Sequence, residues 1–102
     1  MGTLTISNSV TSIGDWAFAG CSGLTSATIP NSVTIIEFAT FDGCGGLTEV
    51  TIGNSVTSIG DQAFYGCWNL TSLTIPNSVM SIGYFAFGGC SGLIEVIENL
   101  QH

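Results

Sequence analysis

Apolar and polar positions recur along this chain with a period of 23 residues. The apolar columns of the repeat are Ile6, Ile29, Ile52 and Ile75; Ile13, Ile36, Ile59 and Ile82; Phe18, Phe41, Phe64 and Phe87; Cys21, Cys44, Cys67 and Cys90; and Leu24, Leu47, Leu70 and Leu93. Apolar and polar residues alternate at Ala27-Thr28-Ile29 and its equivalents, which predicts a short strand with one buried face. An Asn-Ser pair follows each of these segments and favours a turn.

A unit of 23 residues cannot bury its own apolar face, but stacked units pack like residues against like. We therefore predict one solenoid domain over residues 1–102, with units at about 6–28, 29–51, 52–74 and 75–97. Parallel strands from neighbouring units should form a sheet on one side. Val33 and Ile36 predict a second, weaker extended or turn segment. The Ala-Phe-x-Gly-Cys segment is long enough only for a single helical or 3₁₀ turn.

Three segments carry a resemblance to a known family: LTSATIPNSV at 24–33, IGDQAFYGC at 59–67 and LTSLTIP at 70–76. Over residues 3–97 the chain resembles the BspA-like, or Treponema pallidum-type, leucine-rich repeats. The resemblance implies a right-handed α/β solenoid of about four coils. It also implies a bacterial or protist surface protein that binds host proteins, other cells or matrix. The second unit departs from the pattern at Glu37 and Thr40, where the other units have Gly and Ala.

Charge excludes several classes of function. The chain has no Lys and no Arg, and seven acidic residues give it a net charge of -7. Nucleic-acid binding and attachment to anionic lipid both need cations, so neither is expected. Polar and turn residues interrupt every apolar run, so we expect no membrane-inserted segment. No secretory signal peptide is visible in this segment. The acidic exterior, rich in Ser and Thr, is compatible with an extracellular or cell-surface location.

The sequence offers little catalytic chemistry. Its single histidine is His102, the last residue, which has no fixed neighbour to orient it as a base. The cysteine column is expected to hold buried free thiols, with disulfides between units or a metal site as the alternatives. We predict no catalytic residue, no cofactor and no metal.

The predicted strand face presents two rows of polar residues. Its candidate binding residues are Thr28, Glu49, Thr51, Thr74 and Glu95. Glu49 and Glu95 share a column about 10 Å apart, at the upper edge of the separation for an inverting glycosidase pair. The threonine row also suggests ice binding as a function, although Glu49 interrupts the neighbouring row. The simpler interpretation is surface charge beside a half-exposed threonine ladder.

Six aromatic residues occupy columns that hold Asp, Ala, Gln, Gly or Ser in other units. They are Trp16, Phe38, Tyr65, Trp68, Tyr84 and Phe85. A column that accepts Asp or Gln in one unit should be exposed in all, so these side chains are candidates for protein or glycan contacts. Partial burial between neighbouring turns is the alternative. Asn69-Leu70-Thr71 is an N-glycosylation sequon, but Leu70 is expected to be buried.

Two functions from different classes fit these features. The first is a non-enzymatic, adhesion-type binding module whose partner is a protein or a glycan. The second is a structural scaffold that stacks head-to-tail into a homo-oligomer. It follows from the expectation that the solenoid lacks polar caps, which would leave strand edges and apolar rungs open at both ends.

Overall fold

A computed structural model describes residues 2–93 and 95–98 of the chain. Within these ranges the secondary structure consists of strands and turns. The described residues include no helix long and apolar enough to cross a membrane. The strands are β1 (Thr3–Thr5), β2 (Ser26–Ile29), β3 (Ile35–Ile36), β4 (Glu49–Ile52), β5 (Ser58–Ile59), β6 (Ser72–Ile75), β7 (Ser81–Ile82) and β8 (Glu95–Glu98). The units predicted above are called coils 1 to 4 below.

Two parallel sheets run along the solenoid. The larger has the strand order β1-β2-β4-β6-β8, and its register places Thr28 beside Thr51 and Thr51 beside Thr74. The predicted parallel sheet is therefore confirmed. The smaller sheet, β3-β5-β7, is built from strands of two residues each. The weaker segment predicted at Val33 and Ile36 thus forms a ladder of its own.

The third side of each coil is a series of hydrogen-bonded turns, so the predicted helical or 3₁₀ turn, and the helical part of the α/β class, are not confirmed for the described residues. Alternate amides in these turns have different partners. Phe41 N–H donates to the Ala63 carbonyl in the next coil (2.7 Å), and Gly43 N–H donates to that of Tyr65 (2.7 Å). Cys44 N–H instead donates back to the Phe41 carbonyl (3.2 Å). A helix would pair all of these backbone N–H groups internally, whereas here about half of them join neighbouring coils.

The core lies between the three sides and consists of the predicted columns. Ile36, Phe64 and Leu70 are completely buried. The phenylalanine rings stack along the axis with centroid separations of 5.4, 5.2 and 5.5 Å, in the pairs Phe18–Phe41, Phe41–Phe64 and Phe64–Phe87. Burial of this continuous apolar column is the main stabilising term of the fold.

Coil 2 accommodates its departure from the repeat at Thr40 without leaving the threonine hydroxyl unpaired. Thr40 is fully buried, but its hydroxyl donates to the Glu37 carbonyl (3.0 Å) and lies within hydrogen-bond distance of the Gly14 carbonyl (3.3 Å). A buried hydroxyl with a partner costs far less than an unpaired one. Threonine therefore fits a column that holds alanine in the other coils.

Candidate functional site

The turns form a surface that we call the turn face: residues 14–22, 37–45, 60–68 and 83–91. All six predicted aromatic candidates lie on it. Five are between 41% and 81% exposed, and these are Trp16, Tyr65, Trp68, Tyr84 and Phe85. Exposure is thus confirmed for these five side chains. The rule that a column accepting Asp or Gln is exposed in every unit is wrong, however, because Ala39 is completely buried in the column of Gln62.

Phe38 is the exception, because it is only partly exposed. Its ring packs edge-to-face against Trp16 of the preceding coil, with centroids 5.2 Å apart and planes at 85°. The sequence argument treated each column separately. The alternative interpretation, partial burial between neighbouring turns, therefore holds for this side chain, which an aromatic of the adjacent column covers.

Two of the exposed aromatics lie over glycines of neighbouring coils. A Cβ added at Gly45 would meet three atoms of the Trp68 indole at 3.0–3.1 Å, and one added at Gly88 would meet the Tyr65 ring at 2.9–3.0 Å. Asn69 Nδ2 also donates to the Gly45 carbonyl (2.7 Å), beside the indole. Trp68 and Tyr65 therefore rest on glycine backbone and keep their other surfaces open to solvent.

One column of the turn face adopts left-handed backbone. Trp16, Ala39, Gln62 and Phe85 have φ angles of 61°, 56°, 58° and 58°. Such angles are unfavourable for residues with a Cβ. Because all four coils share the conformation, it belongs to the turn geometry. Residue type gave no signal for it, since none of the four is Gly, Asn or Asp.

Four of the seven carboxylates also lie on the turn face: Asp15, Glu37, Asp42 and Asp61. Asp61 is exposed, and its Oδ1 accepts a hydrogen bond from Tyr84 N–H (2.9 Å). Burial raises the pKa of Asp42 above its ordinary value. The turn face thus combines exposed aromatic rings with carboxylates that have no Lys or Arg of this chain to pair with.

The strand-face candidates lie on a different surface from the turn face, namely the larger sheet. Thr28, Thr51 and Thr74 are exposed and form one row. Glu49 is exposed in the neighbouring row, which also contains Glu95 of β8 at the register position beside Ser72. The side chain of Glu95 lies outside the described residues. The strand-face and turn-face candidates are therefore not brought together into one site.

A groove that the sequence analysis did not single out crosses coils 1 to 3 beside the larger sheet. It has a volume of about 520 Å³. Its polar lining includes Thr5, Thr28, Thr51, Asn8, Asn31 and Asn54. Asn31 Oδ1 accepts a hydrogen bond from Asn54 N–H (2.7 Å), so this asparagine also joins two coils. The invariant asparagine column was the signal that could have revealed it.

The cysteines form no disulfide. Cys44, Cys67 and Cys90 are buried free thiols, as predicted, but Cys21 is exposed because coil 1 has no described coil before it to cover this position. Burial raises the pKa of the Cys44 thiol to about 11 and that of Cys67 to about 12. Protonated, buried thiols are poor nucleophiles. Among residues 2–93 and 95–98, no three His, Cys, Asp or Glu side chains gather in a way that could hold a metal ion.

Comparison with known proteins agrees with this geometry. The family described as BspA type leucine rich repeat region matches residues 1–100 in six copies. The chain belongs to the BspA-type leucine-rich repeat family. No curated protein matches its sequence. The resemblance inferred from the repeat motifs is thereby confirmed.

Solved leucine-rich repeat proteins have the same architecture. A leucine-rich repeat protein from Bacteroides ovatus is 38% identical with a TM-score of 0.88, over 94% of this chain and 25% of that one. A leucine rich cell surface protein from Faecalibacterium prausnitzii is 32% identical with a TM-score of 0.78, over 90% of this chain and 30% of that one. The T. pallidum leucine rich repeat protein is 25% identical with a TM-score of 0.58, over 88% of this chain and 64% of that one. This chain thus spans between a quarter and two thirds of their lengths.

Proposed function

We propose that this BspA-type chain is a non-enzymatic, adhesion-type binding module displayed outside the cell. Its family consists of repeat proteins whose stacked coils present extended surfaces suited to protein partners. The F. prausnitzii relative is a leucine rich cell surface protein, which supports the same location for this chain. The raised pKa values of Cys44 and Cys67 support a role without thiol catalysis.

The observation that carries the proposal is the set of five exposed aromatics on the turn face. The fold does not require them, because other coils hold smaller or polar residues in the same columns. Ala19 occupies the column of Tyr65, and Ser22 and Ser91 occupy that of Trp68. Exposed Trp and Tyr supply large contact areas with little rotamer entropy to lose, and they are enriched among residues that dominate binding energy.

The test uses beads coated with the full chain and applied to a layer of cultured epithelial cells. Bare beads and beads coated with heat-denatured chain measure non-specific attachment. We expect attachment of the folded chain to exceed both controls by at least about tenfold, as for an interface with several aromatic anchors. Attachment equal to the controls at every coating density would refute adhesion to these cells.

A second candidate is head-to-tail self-assembly, which one observation favours. In the smaller sheet Ile36 and Ile59 are completely or almost completely buried, whereas Ile82 of β7 is 44% exposed. A further coil stacked on β7 would cover it and pair the open strand edge. Repulsion between copies of charge -7 opposes such stacking, so assembly should strengthen as salt screens that charge. Light scattering at low and high salt tests this, and a chain that stays monomeric in both excludes it.

A further inference from the structure

One row of the turn face alternates acids and aromatics in successive coils: Asp15, Phe38, Asp61 and Tyr84, which we call the acid–aromatic row. We infer that this row docks a basic, proline-rich segment of a partner protein, in which two cationic side chains stand three residues apart. The inference rests on the proposed function and names the chemistry of its partner.

Backbone hydrogen bonds hold the members of the row next to one another. Trp16 N–H donates to the Phe38 carbonyl (3.1 Å), and the equivalent amides of Ala39 and Gln62 donate to the carbonyls of the next two members of the row (both 2.9 Å). With about 4.8 Å between hydrogen-bonded coils, the backbone positions of Asp15 and Asp61 are about 10 Å apart along the solenoid axis. Phe38 lies between them.

The acids are arranged to receive cations from outside the chain. Tyr84 N–H donates to Oδ1 of Asp61 (2.9 Å), which orients the carboxylate. Both Asp15 and Asp61 are exposed, and this chain supplies no Lys or Arg to either. A guanidinium from a partner can bind a carboxylate and also lie against an aromatic ring, as Arg commonly does.

The spacing fits cationic side chains three residues apart in a polyproline II helix, whereas an α-helix would match it only with cations seven residues apart, at about 10.5 Å. A polyproline II helix has three residues per turn and rises 3.1 Å per residue, so residues three apart lie on one side about 9 Å apart. A β-strand turns such residues to opposite sides, and an α-helix separates them by only about 4.5 Å along its axis. Polyproline II segments also pack their rings on exposed aromatics, which Tyr84 (81% exposed) and the neighbouring Phe85 (71% exposed) provide.

The experiment titrates the ¹⁵N-labelled full chain with two blocked peptides and follows its amide resonances. The peptides are Gly-Arg-Pro-Pro-Arg-Pro-Gly and its permutation Gly-Arg-Arg-Pro-Pro-Pro-Gly, which have the same composition and charge. We expect the first to shift the amides of Phe38, Asp61 and Tyr84 and to bind at least about fivefold more tightly than the second. Equal affinity for the two peptides would overturn the spacing argument.

Substitutions then locate the site. Asp61→Asn keeps the acceptor for Tyr84 N–H and removes only the charge, so it should lower the affinity for the first peptide about fivefold. Asp15→Asn should have the same effect. Glu98→Gln in β8 removes the same charge away from the turn face and should leave the affinity unchanged. If all three variants weaken the peptide equally, only the net charge matters and the row is not a site.

A neutral glycan is the competing ligand for exposed aromatics, so cellotetraose is titrated in parallel. Shifts of the row amides by this sugar and not by the peptide would overturn the inference. If neither ligand binds while coated beads still attach to cells, only this inference fails. If the beads do not attach either, the proposed function fails with it.

Discussion

The thiol of Cys67 donates a hydrogen bond to the carbonyl of Phe41 in the preceding coil, 3.3 Å away. Cys44 and Cys90 make the same contact to Phe18 and Phe64, at 3.2 Å each. The cysteine column thus joins coils through a polar contact inside the core. A small, weakly polar side chain that packs as a hydrophobe and can donate suits this position.

Thiol labelling under native conditions should divide the cysteines into two classes. Cys21 is exposed and should react with a maleimide quickly, whereas Cys44, Cys67 and Cys90 should react only as the chain unfolds. Mass spectrometry of the timed reaction measures this. All four should react after denaturation without reductant, and a smaller number would reveal a disulfide.

Alkaline pH should destabilise the fold through the same thiols. Cys67 keeps its proton in the folded state up to its raised pKa of about 12, whereas in the unfolded chain a thiol ionises near pH 8.5. Between these values the unfolded state binds fewer protons, so the free energy of unfolding falls as pH rises. The contribution is fully present below about pH 8.5. Urea unfolding from pH 7 to pH 11 measures the fall, and Cys67→Ala should make it less steep; an unchanged slope would contradict the assignment.

Removal of one ring from the phenylalanine stack should cost much of the stability. Phe64 is fully buried between Phe41 and Phe87, so Phe64→Ala leaves a cavity and should lower the free energy of unfolding by about 3–5 kcal/mol. Phe18→Ala is the matched control, because Phe18 is only partly buried and should cost less. Urea denaturation compares them, and a loss below about 1 kcal/mol at position 64 would show that the stack is not core.

The left-handed column predicts a stabilising substitution. Gln62 has a φ of 58°, and glycine removes the strain of a Cβ in this conformation at some cost in chain entropy. Gln62→Gly should therefore raise the free energy of unfolding by about 0.5–1 kcal/mol. Gln62→Ala keeps a Cβ, as Ala39 does in coil 2, and should bring no gain. Equal stability of the two variants would contradict the prediction, because the strain at this position would then be no larger than the entropy cost of glycine.

Periodicity was sufficient to predict the larger sheet and the core columns, and the resemblance of the repeat motifs then indicated the family. Each depends on repetition, and a repeated apolar residue has only one way to be buried in a stack of coils. The second sheet was harder to predict, because β3, β5 and β7 have two residues each and carry almost no pattern. The left-handed angles at Trp16 and Phe85 had no signal in residue type at all.

The candidate site could be predicted only in part, because exposure depends on contacts between columns. Phe38 is covered by Trp16 from the adjacent column, which the alignment of equivalent positions does not reveal. Trp68 lies over Gly45 of the preceding coil, and this pairing of a large ring with glycine was visible in the sequence as a column that holds both. Hydrogen bonds such as the one that Tyr84 N–H donates to Asp61 Oδ1 could be identified only from the structure.

The most direct test of the account asks which side of the solenoid binds. One variant replaces the five exposed aromatics by residues that other coils hold in the same columns: Trp16→Gln, Tyr65→Ala, Trp68→Ser, Tyr84→Asp and Phe85→Gln. A second variant replaces the strand-face threonines: Thr28→Ala, Thr51→Ala and Thr74→Ala. Circular dichroism and urea unfolding establish that both are folded before use.

Attachment of coated beads to the cell layer is then measured for the native chain and for both variants. Loss of the aromatic anchors should reduce attachment at least about tenfold, while the strand-face variant should attach as the native chain does. The opposite result, with attachment kept by the aromatic variant and lost by the threonine variant, would contradict the account and assign binding to the larger sheet.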